Sequence, residues 1–339
     1  MMEFLVGAYD SNDGGGLYPL SYSPDDDHWR LGEPDPAIRN VSYVAWNRVH
    51  DVYVFVHEGS PGQVSCHRRS DAGWRKLHET PSGGAAPCFV AIDPDGGLAA
   101  ITNYESGDVA LFPISADTGC LADRPVLHHN EGSGPHPRRQ TSPHPHCVAF
   151  AYGRIYSTDL GADEILVHSP HAAGGSYTAL RLPAGQGPRH ILFHPVRPLA
   201  YLLTELGSML FTLSVGNDGA LAIVNQLSTL PPEFRGDSLG GHIDINAAGD
   251  RLYATNRGHD SIAVFDISST EPQMIQIADT GGASPRHFRL VEDAKRIVIA
   301  HEKEGGVTAL TFEDDGKVGA VTDQLDVPKA AYIGRIGQS

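Results

Sequence analysis

The chain has 339 residues, with 38 Gly, 24 Pro, 41 acidic against 25 basic side chains and a formal net charge of −16. That charge argues against nucleic acid and anionic membrane as partners, and no apolar run reaches the about eighteen residues of a membrane span. Cys66, Cys88, Cys120 and Cys147 form no Cys-x-x-Cys pair and the start, Met1-Met2-Glu3-Phe4-Leu5-Val6, lacks the features of an export signal, so the expectation is a soluble cytoplasmic protein with free thiols.

Read in chain order, Phe4-Leu5-Val6-Gly7 and Gly16-Leu17-Tyr18-Pro19-Leu20 are short strands, and Asp25-Asp26-Asp27 is an acidic hairpin tip. From Ser42 onward one phrase recurs six times: a Gly- or Pro-rich turn, an apolar strand, a tight turn, a second strand and a polar triplet. The first strands open on Ser42, Cys88, His146, Arg189, His242 and Arg286. The second strands end on His57-Glu58, Asn103-Tyr104, Asp159-Leu160, Thr204-Glu205, Asn256-Arg257 and His301-Glu302. Alternating apolar and polar residues suit half-buried antiparallel strands. Between the second and third copies lies a long polar loop, His128 to Gln140, of the kind that often carries function. The tail near Lys329-Ala330-Ala331-Tyr332-Ile333 supplies one more strand.

Strands without helices, repeating at roughly 40–50 residues, are the pattern of a β-propeller. Counting alone leaves six or eight blades open. Seven is the reading taken: an all-β, seven-bladed β-propeller, a single domain over residues 1–339, its ring closed by strands from both termini so that no edge is left open.

In such a fold the entry to the first strand and the exit from the second lie on one face. The expected site therefore collects His146, Arg189, His190, His242, Arg286 and His287 from the entries. From the exits it collects His57, Asn103, Glu105, Asp159, Glu205, Asn256, Arg257, His301 and Glu302. Polar groups at such positions are costly unless hydrated or paired, which marks a candidate site against the alternative of a wet, paired channel. Arginines bind carboxylate or phosphate through a bidentate fork. Glu205 and His146 can act as base and acid. No Gly-x-Ser-x-Gly elbow is present, so water is the expected nucleophile. His144-Pro145-His146 is a poor metal signal, and no metal or cofactor is expected. His28, His50, His78, His168 and His171 read as surface residues.

At these residues the chain resembles the seven-bladed propeller lactonases, a family that includes bacterial 6-phosphogluconolactonase and fungal carboxy-cis,cis-muconate cyclases. The phrases that carry the resemblance are Gly83-Gly84-Ala85-Ala86-Pro87-Cys88, Ser142-Pro143-His144-Pro145-His146, Asp159-Leu160-Gly161-Ala162-Asp163, Gly187-Pro188-Arg189-His190, Thr204-Glu205-Leu206, Asn256-Arg257-Gly258-His259-Asp260 and Pro285-Arg286-His287-Phe288. The resemblance implies metal-independent hydrolysis of a sugar 1,5-lactone, with 6-phosphogluconolactone the best single substrate. It implies His146, Arg189, Glu205 and Arg286 as catalytic residues. His190, Arg257, Asn256, His242, His287 and Asn103 are the expected substrate-binding residues. The implied partner is a small anionic lactone, and the implied state is a monomer or weak homo-oligomer.

The chain departs from the family pattern at Glu105, at His301-Glu302 and at His242. An extra exposed carboxylate beside a phosphate weakens binding by about 1 kcal/mol. Two alternatives follow: a cycloisomerase that closes a carboxymuconate to its lactone, and a non-enzymatic interaction propeller.

Overall fold

A computed structural model describes residues 1–11, 14–71, 73–171 and 175–337. They build a seven-bladed β-propeller in which every blade is a four-stranded antiparallel sheet. In chain order the full blades are β4 (Val41–Asn47) to β5 (Val52–His57), β6 (Gln63–Ser70) and β7 (Gly73–Pro81). Next come β8 (Pro87–Ile92), β9 (Leu98–Asn103), β10 (Asp108–Pro113) and β11 (Val126–His129). The third blade is β12 (Pro145–Ala151), β13 (Arg154–Asp159), β14 (Glu164–His168) and β15 (Ser176–Arg181). The fourth is β16 (Pro188–Phe193), β17 (Leu199–Thr204), β18 (Met209–Val215) and β19 (Leu221–Ser228). The fifth is β20 (Leu239–Ile245), β21 (Arg251–Arg257), β22 (Ser261–Asp266) and β23 (Gln273–Asp279). The sixth is β24 (Pro285–Val291), β25 (Arg296–His301), β26 (Val307–Phe312) and β27 (Val318–Leu325).

The remaining blade joins the two ends of the chain. Strand β28 (Ala330–Arg335) pairs antiparallel with β1 (Met2–Ser11), Leu5 facing Gly334 and Val6 facing Ile333. Strands β2 (Gly14–Ser23) and β3 (His28–Leu31) complete it. The terminal closure expected from the sequence is present.

Strand polarity follows position in the blade rather than simple alternation. The second strand Val52-Tyr53-Val54-Phe55-Val56 is buried throughout, as is Ile262-Ala263-Val264-Phe265 of β22. Outer strands such as β15 and β19 are mostly exposed. A middle strand is covered on both faces, so it reads as a continuous apolar run, and each large aliphatic side chain buried there contributes about 1.5–3 kcal/mol.

By internal contact the chain divides into two compact units. The first comprises residues 1–40, 192–214 and 223–338, the second residues 41–191 and 215–222. In the first unit, Phe4, Val6, Trp29, Val298 and Ile333 pack together, and Tyr201, Leu203, Ala254 and Phe265 form a further cluster. In the second, Val54, Cys66, Ile101, Ala110 and Phe112 form the principal cluster. His168 belongs to this interior: it is 2% exposed and its Nε2 meets Ser157 Oγ at 2.7 Å. The surface placement expected for it fails because its strand lies third in the blade, where neighbouring strands cover it.

Candidate active-site residues

At four blade entries the geometry is set by a β-bulge. Pro87 faces Asn103 and Phe89 faces Thr102, so Cys88 is the extra residue. The same count leaves out Ser42 opposite Val56 and His57, His146 opposite Thr158 and Asp159, and Arg286 opposite Ala300 and His301. A bulge re-aims its side chain and ends the regular pleat. The side chains at these positions are thereby turned out of the regular pleat while their neighbours pack.

The bulge also corrects one assignment. Gly240 faces Asn256 and Ile243 faces Ala254, and the His242 amide donates to Thr255 Oγ1 at 2.8 Å. Cys147, one residue beyond its bulge, donates to Thr158 Oγ1 in the same way. Gly241, not His242, is therefore the counterpart of His146 and Arg286. His242 corresponds to His287.

The exit triplets divide into two kinds of residue. The first member is a brace. Asn256, fully buried, donates to Thr229 O and Ser261 Oγ and accepts from Thr229 Oγ1 at 2.6 Å. Asn103, also fully buried, donates to Ser82 O at 3.2 Å. His301 Nε2 meets Thr308 Oγ1 at 2.9 Å, and burial lowers its pKa to about 4. Asn256 and Asn103, expected to bind substrate, bond to Thr229 and Ser82 in the segments leading into their blades, and Asn103 Oδ1 is buried with no hydrogen-bond partner among the described residues. Among the second members are the polar or ionisable side chains Tyr104, Glu205, Arg257 and Glu302.

Within the first unit these form a charged cluster. Glu205 is 2% exposed, and its Oε2 lies 2.7 Å from Arg257 Nη2. Arg257 is held by two donations to Gly240 O, at 3.2 and 2.9 Å. Its Nη1 is 3.8 Å from Glu302 Oε2, which also meets Arg286 Nη1 at 3.4 Å. Glu302 thus lies between two arginines and does not stand as an isolated negative charge. The Arg286 guanidinium sits over the Tyr9 ring, 5.3 Å from its centre. Beside this cluster His242 and His287 stack at 3.9 Å, and His287 meets the Tyr332 ring at 4.5 Å.

The second unit holds a different group. Arg189, 2% exposed, donates from Nη1 to the His146 ring, most closely to Nε2. Arginine only donates, so the nitrogen it meets is the unprotonated one. Cys88 Sγ lies 4.0 Å from His146 Nδ1. His190 crosses the His146 ring edge-on at 5.4 Å, as does Tyr104 at 5.6 Å. Tyr104 stacks on His144 at 4.5 Å, and His144 Nδ1 meets Tyr104 O at 2.8 Å. Glu105 is exposed at the turn after Tyr104. Burial pushes the Cys147 thiol up to about 12, which keeps it from acting as a thiolate.

The long loop is fixed at both ends by Asp159, expected from the sequence among the exit residues of the site. Asp159, fully buried, accepts from Asn130 Nδ2 at 2.7 Å and from the His144 amide at 2.8 Å. Burial raises its pKa, and these hydrogen bonds oppose the rise. His128 and His129 belong to strand β11 rather than to the loop, which runs from Asn130 to His144. Among the described residues no group of three or more His, Cys, Asp or Glu is placed to hold a metal ion.

The comparisons with known proteins agree with this architecture. The family model described as lactonase, 7-bladed beta-propeller, matches residues 3–334. A Bacillus subtilis protein named 6-phosphogluconolactonase is 30% identical over 331 residues, covering 94% of this chain and 92% of that one. An uncharacterized Lactococcus lactis subsp. cremoris protein is 32% identical over 326 residues, 94% of each chain. Among solved structures, a Lactobacillus plantarum protein superimposes with a TM-score of 0.90 at 25% identity, over 98% of this chain and 99% of its own. A Pseudomonas aeruginosa periplasmic gluconolactonase gives the same TM-score at 24% identity, over 98% of each chain, a likeness of fold.

Proposed function

This chain belongs to the seven-bladed β-propeller lactonase family, and from that premise we propose that it hydrolyses a sugar 1,5-lactone, 6-phosphogluconolactone being the preferred substrate. The relative of that name in Bacillus subtilis, alike over nearly the whole length, supports the substrate. The reading is carried by one observation: among the named site residues, a basic group with a proton-accepting atom lies directly against an arginine. His146 meets Arg189, and Glu205 meets Arg257 at 2.7 Å.

Either pair has the groups for this chemistry, but His146 must first exchange Arg189 for the attacking water, since the single lone pair of its accepting nitrogen cannot serve both. The base takes a proton from water, and the water oxygen attacks the lactone carbonyl. Charge builds on the carbonyl oxygen, where an arginine N–H stabilises it. The tetrahedral intermediate collapses, the bond to the ring oxygen breaks, and the protonated base returns its proton to the departing alkoxide. The products are the open-chain hydroxy acid and the regenerated side chain. If the Glu205 pair acts, Arg286, beside Glu302 in the same unit, serves the developing oxyanion; if the His146 pair acts, His190, beside His146, positions the substrate.

The test is the substitution series Glu205→Gln, His146→Asn, Arg189→Ala and Arg286→Ala, assayed on freshly made lactone with spontaneous opening subtracted. The pair that carries the chemistry loses about 10²–10⁴ in kcat when its base is replaced. Full turnover in both base variants overturns the assignment.

A further inference from the structure

The loop from Asn130 to His144 has no part in the mechanism above, yet it is built with unusual care. Asp159 holds its two ends. Gln140, fully buried, holds its middle: its Nε2 donates to Leu160 O at 2.9 Å, its Oε1 accepts from the His136 amide at 3.1 Å, and its own carbonyl accepts from Gly134. The His136 Nδ1 accepts the amides of Arg138 and Arg139. These bonds close a turn that sets the direction of Arg139.

Arg139 reaches Tyr104, donating from Nη2 to the phenol oxygen at 3.0 Å. Tyr104 is the same ring that stacks on His144 and meets the edge of His146. A second arginine is thus fixed one aromatic ring away from the His146–Arg189 pair. A guanidinium has five N–H donors, so the bond to Tyr104 orients the group without exhausting it. Arg138 and Arg139 outweigh Glu131, the one acidic residue of this stretch, in a chain whose net charge is −16.

We propose that Arg139, oriented by Tyr104 and by the loop that Asp159 and Gln140 hold, is a specificity residue. It binds an anionic substituent carried by the substrate away from the carbonyl that reacts. The shared chemistry is a phosphate or carboxylate held by a planar fork, with the direction of the fork fixed before binding. This deepens the lactonase reading and rests on it for the identity of the substrate. No covalent step is assigned to Arg139.

The experiment compares wild type with Arg139→Ala, Arg139→Lys and Tyr104→Phe. Arg138→Ala, an exposed neighbour on the same loop, is the control. Calorimetry measures binding of 6-phosphogluconate, glucarate and gluconate, which differ only in carrying a phosphate, a carboxylate or a hydroxyl at the far end. The result expected is that wild type binds at least one of the two anion-bearing compounds about tenfold or more tightly than gluconate. Arg139→Ala removes that preference, Arg139→Lys restores part of it, Tyr104→Phe weakens it, and Arg138→Ala retains it. Whichever of 6-phosphogluconate and glucarate shows the preference identifies the anion.

Where 6-phosphogluconate shows the preference, the steady-state ratio of kcat/KM for the phosphorylated over the neutral lactone falls by the same factor in Arg139→Ala, through KM rather than kcat. Equal binding of the three compounds by wild type overturns the proposal, as does a preference that survives in Arg139→Ala. Failure of the lactonase reading looks different: wild type opens neither lactone, while the binding preference and its dependence on Arg139 are read independently.

Discussion

Replacing Arg257 by Met removes a charge and leaves a carboxylate behind. Glu205 is 2% exposed and its Oε2 lies 2.7 Å from Arg257. Opposite charges with centres about 4 Å apart attract by about 4 kcal/mol at an effective dielectric of 20. Loss of one partner from a buried pair costs about 3–5 kcal/mol, because the other charge stays buried and uncompensated. Arg257→Met is therefore expected to lower stability by about 3–5 kcal/mol at pH 7. Neutralising the partner should relieve much of this. In a Glu205→Gln background the same replacement is expected to cost about 2 kcal/mol less, since the buried charge that Arg257 neutralises is absent. The assay is urea unfolding of the four proteins, followed by tryptophan fluorescence, with the coupling taken from the double-mutant cycle. Additivity of the two substitutions within about 0.5 kcal/mol refutes the reasoning.

Three further outcomes follow from the geometry. Burial lowers the pKa of His168 to about 3, against about 6.5 in the unfolded chain, so the unfolded state takes up the proton first as pH falls. The stability this group contributes is complete above pH 6.5 and is lost on acidification, by about 3 kcal/mol between pH 7 and pH 4. His168→Gln should flatten the stability profile in that window, and an unchanged slope contradicts this. Gly161→Ala would place a Cβ 1.8 Å from Ser142 O, so the backbone before His144 must shift. A loss of about 1–3 kcal/mol is expected in thermal unfolding, and a change below 0.5 kcal/mol is the opposing result. Asn256→Ala breaks the bonds to Thr229 and Ser261 and should destabilise by about 1–3 kcal/mol. A raised KM with stability intact would return Asn256 to the substrate site.

Much of the architecture was legible because a propeller writes each blade as the same phrase. The Gly- and Pro-rich turns, the paired strands and the terminal strand at Ala330-Ala331-Tyr332 all stand where the repeat implied. What the repeat concealed is register. A bulge adds one residue without changing composition, so His242 and Arg286 look equivalent in the sequence although Gly241 is the true counterpart. Asn256 and Arg257 are both polar neighbours, but pleating sends one into the blade and leaves the other beside Glu205. Asp159 is a short acidic residue before Leu160-Gly161, and only the folded loop reveals that it joins Asn130 to His144. The ion pairs were illegible for the same reason: Glu205 and Arg257 lie on different blades, far apart in sequence.

The measurement that bears most directly on the account is hydrolysis of freshly generated 6-phosphoglucono-1,5-lactone beside unphosphorylated gluconolactone, with a chelator present and spontaneous opening subtracted. The account predicts turnover of both, faster for the phosphorylated compound, and insensitive to the chelator. No turnover of either lactone above the spontaneous rate would contradict it.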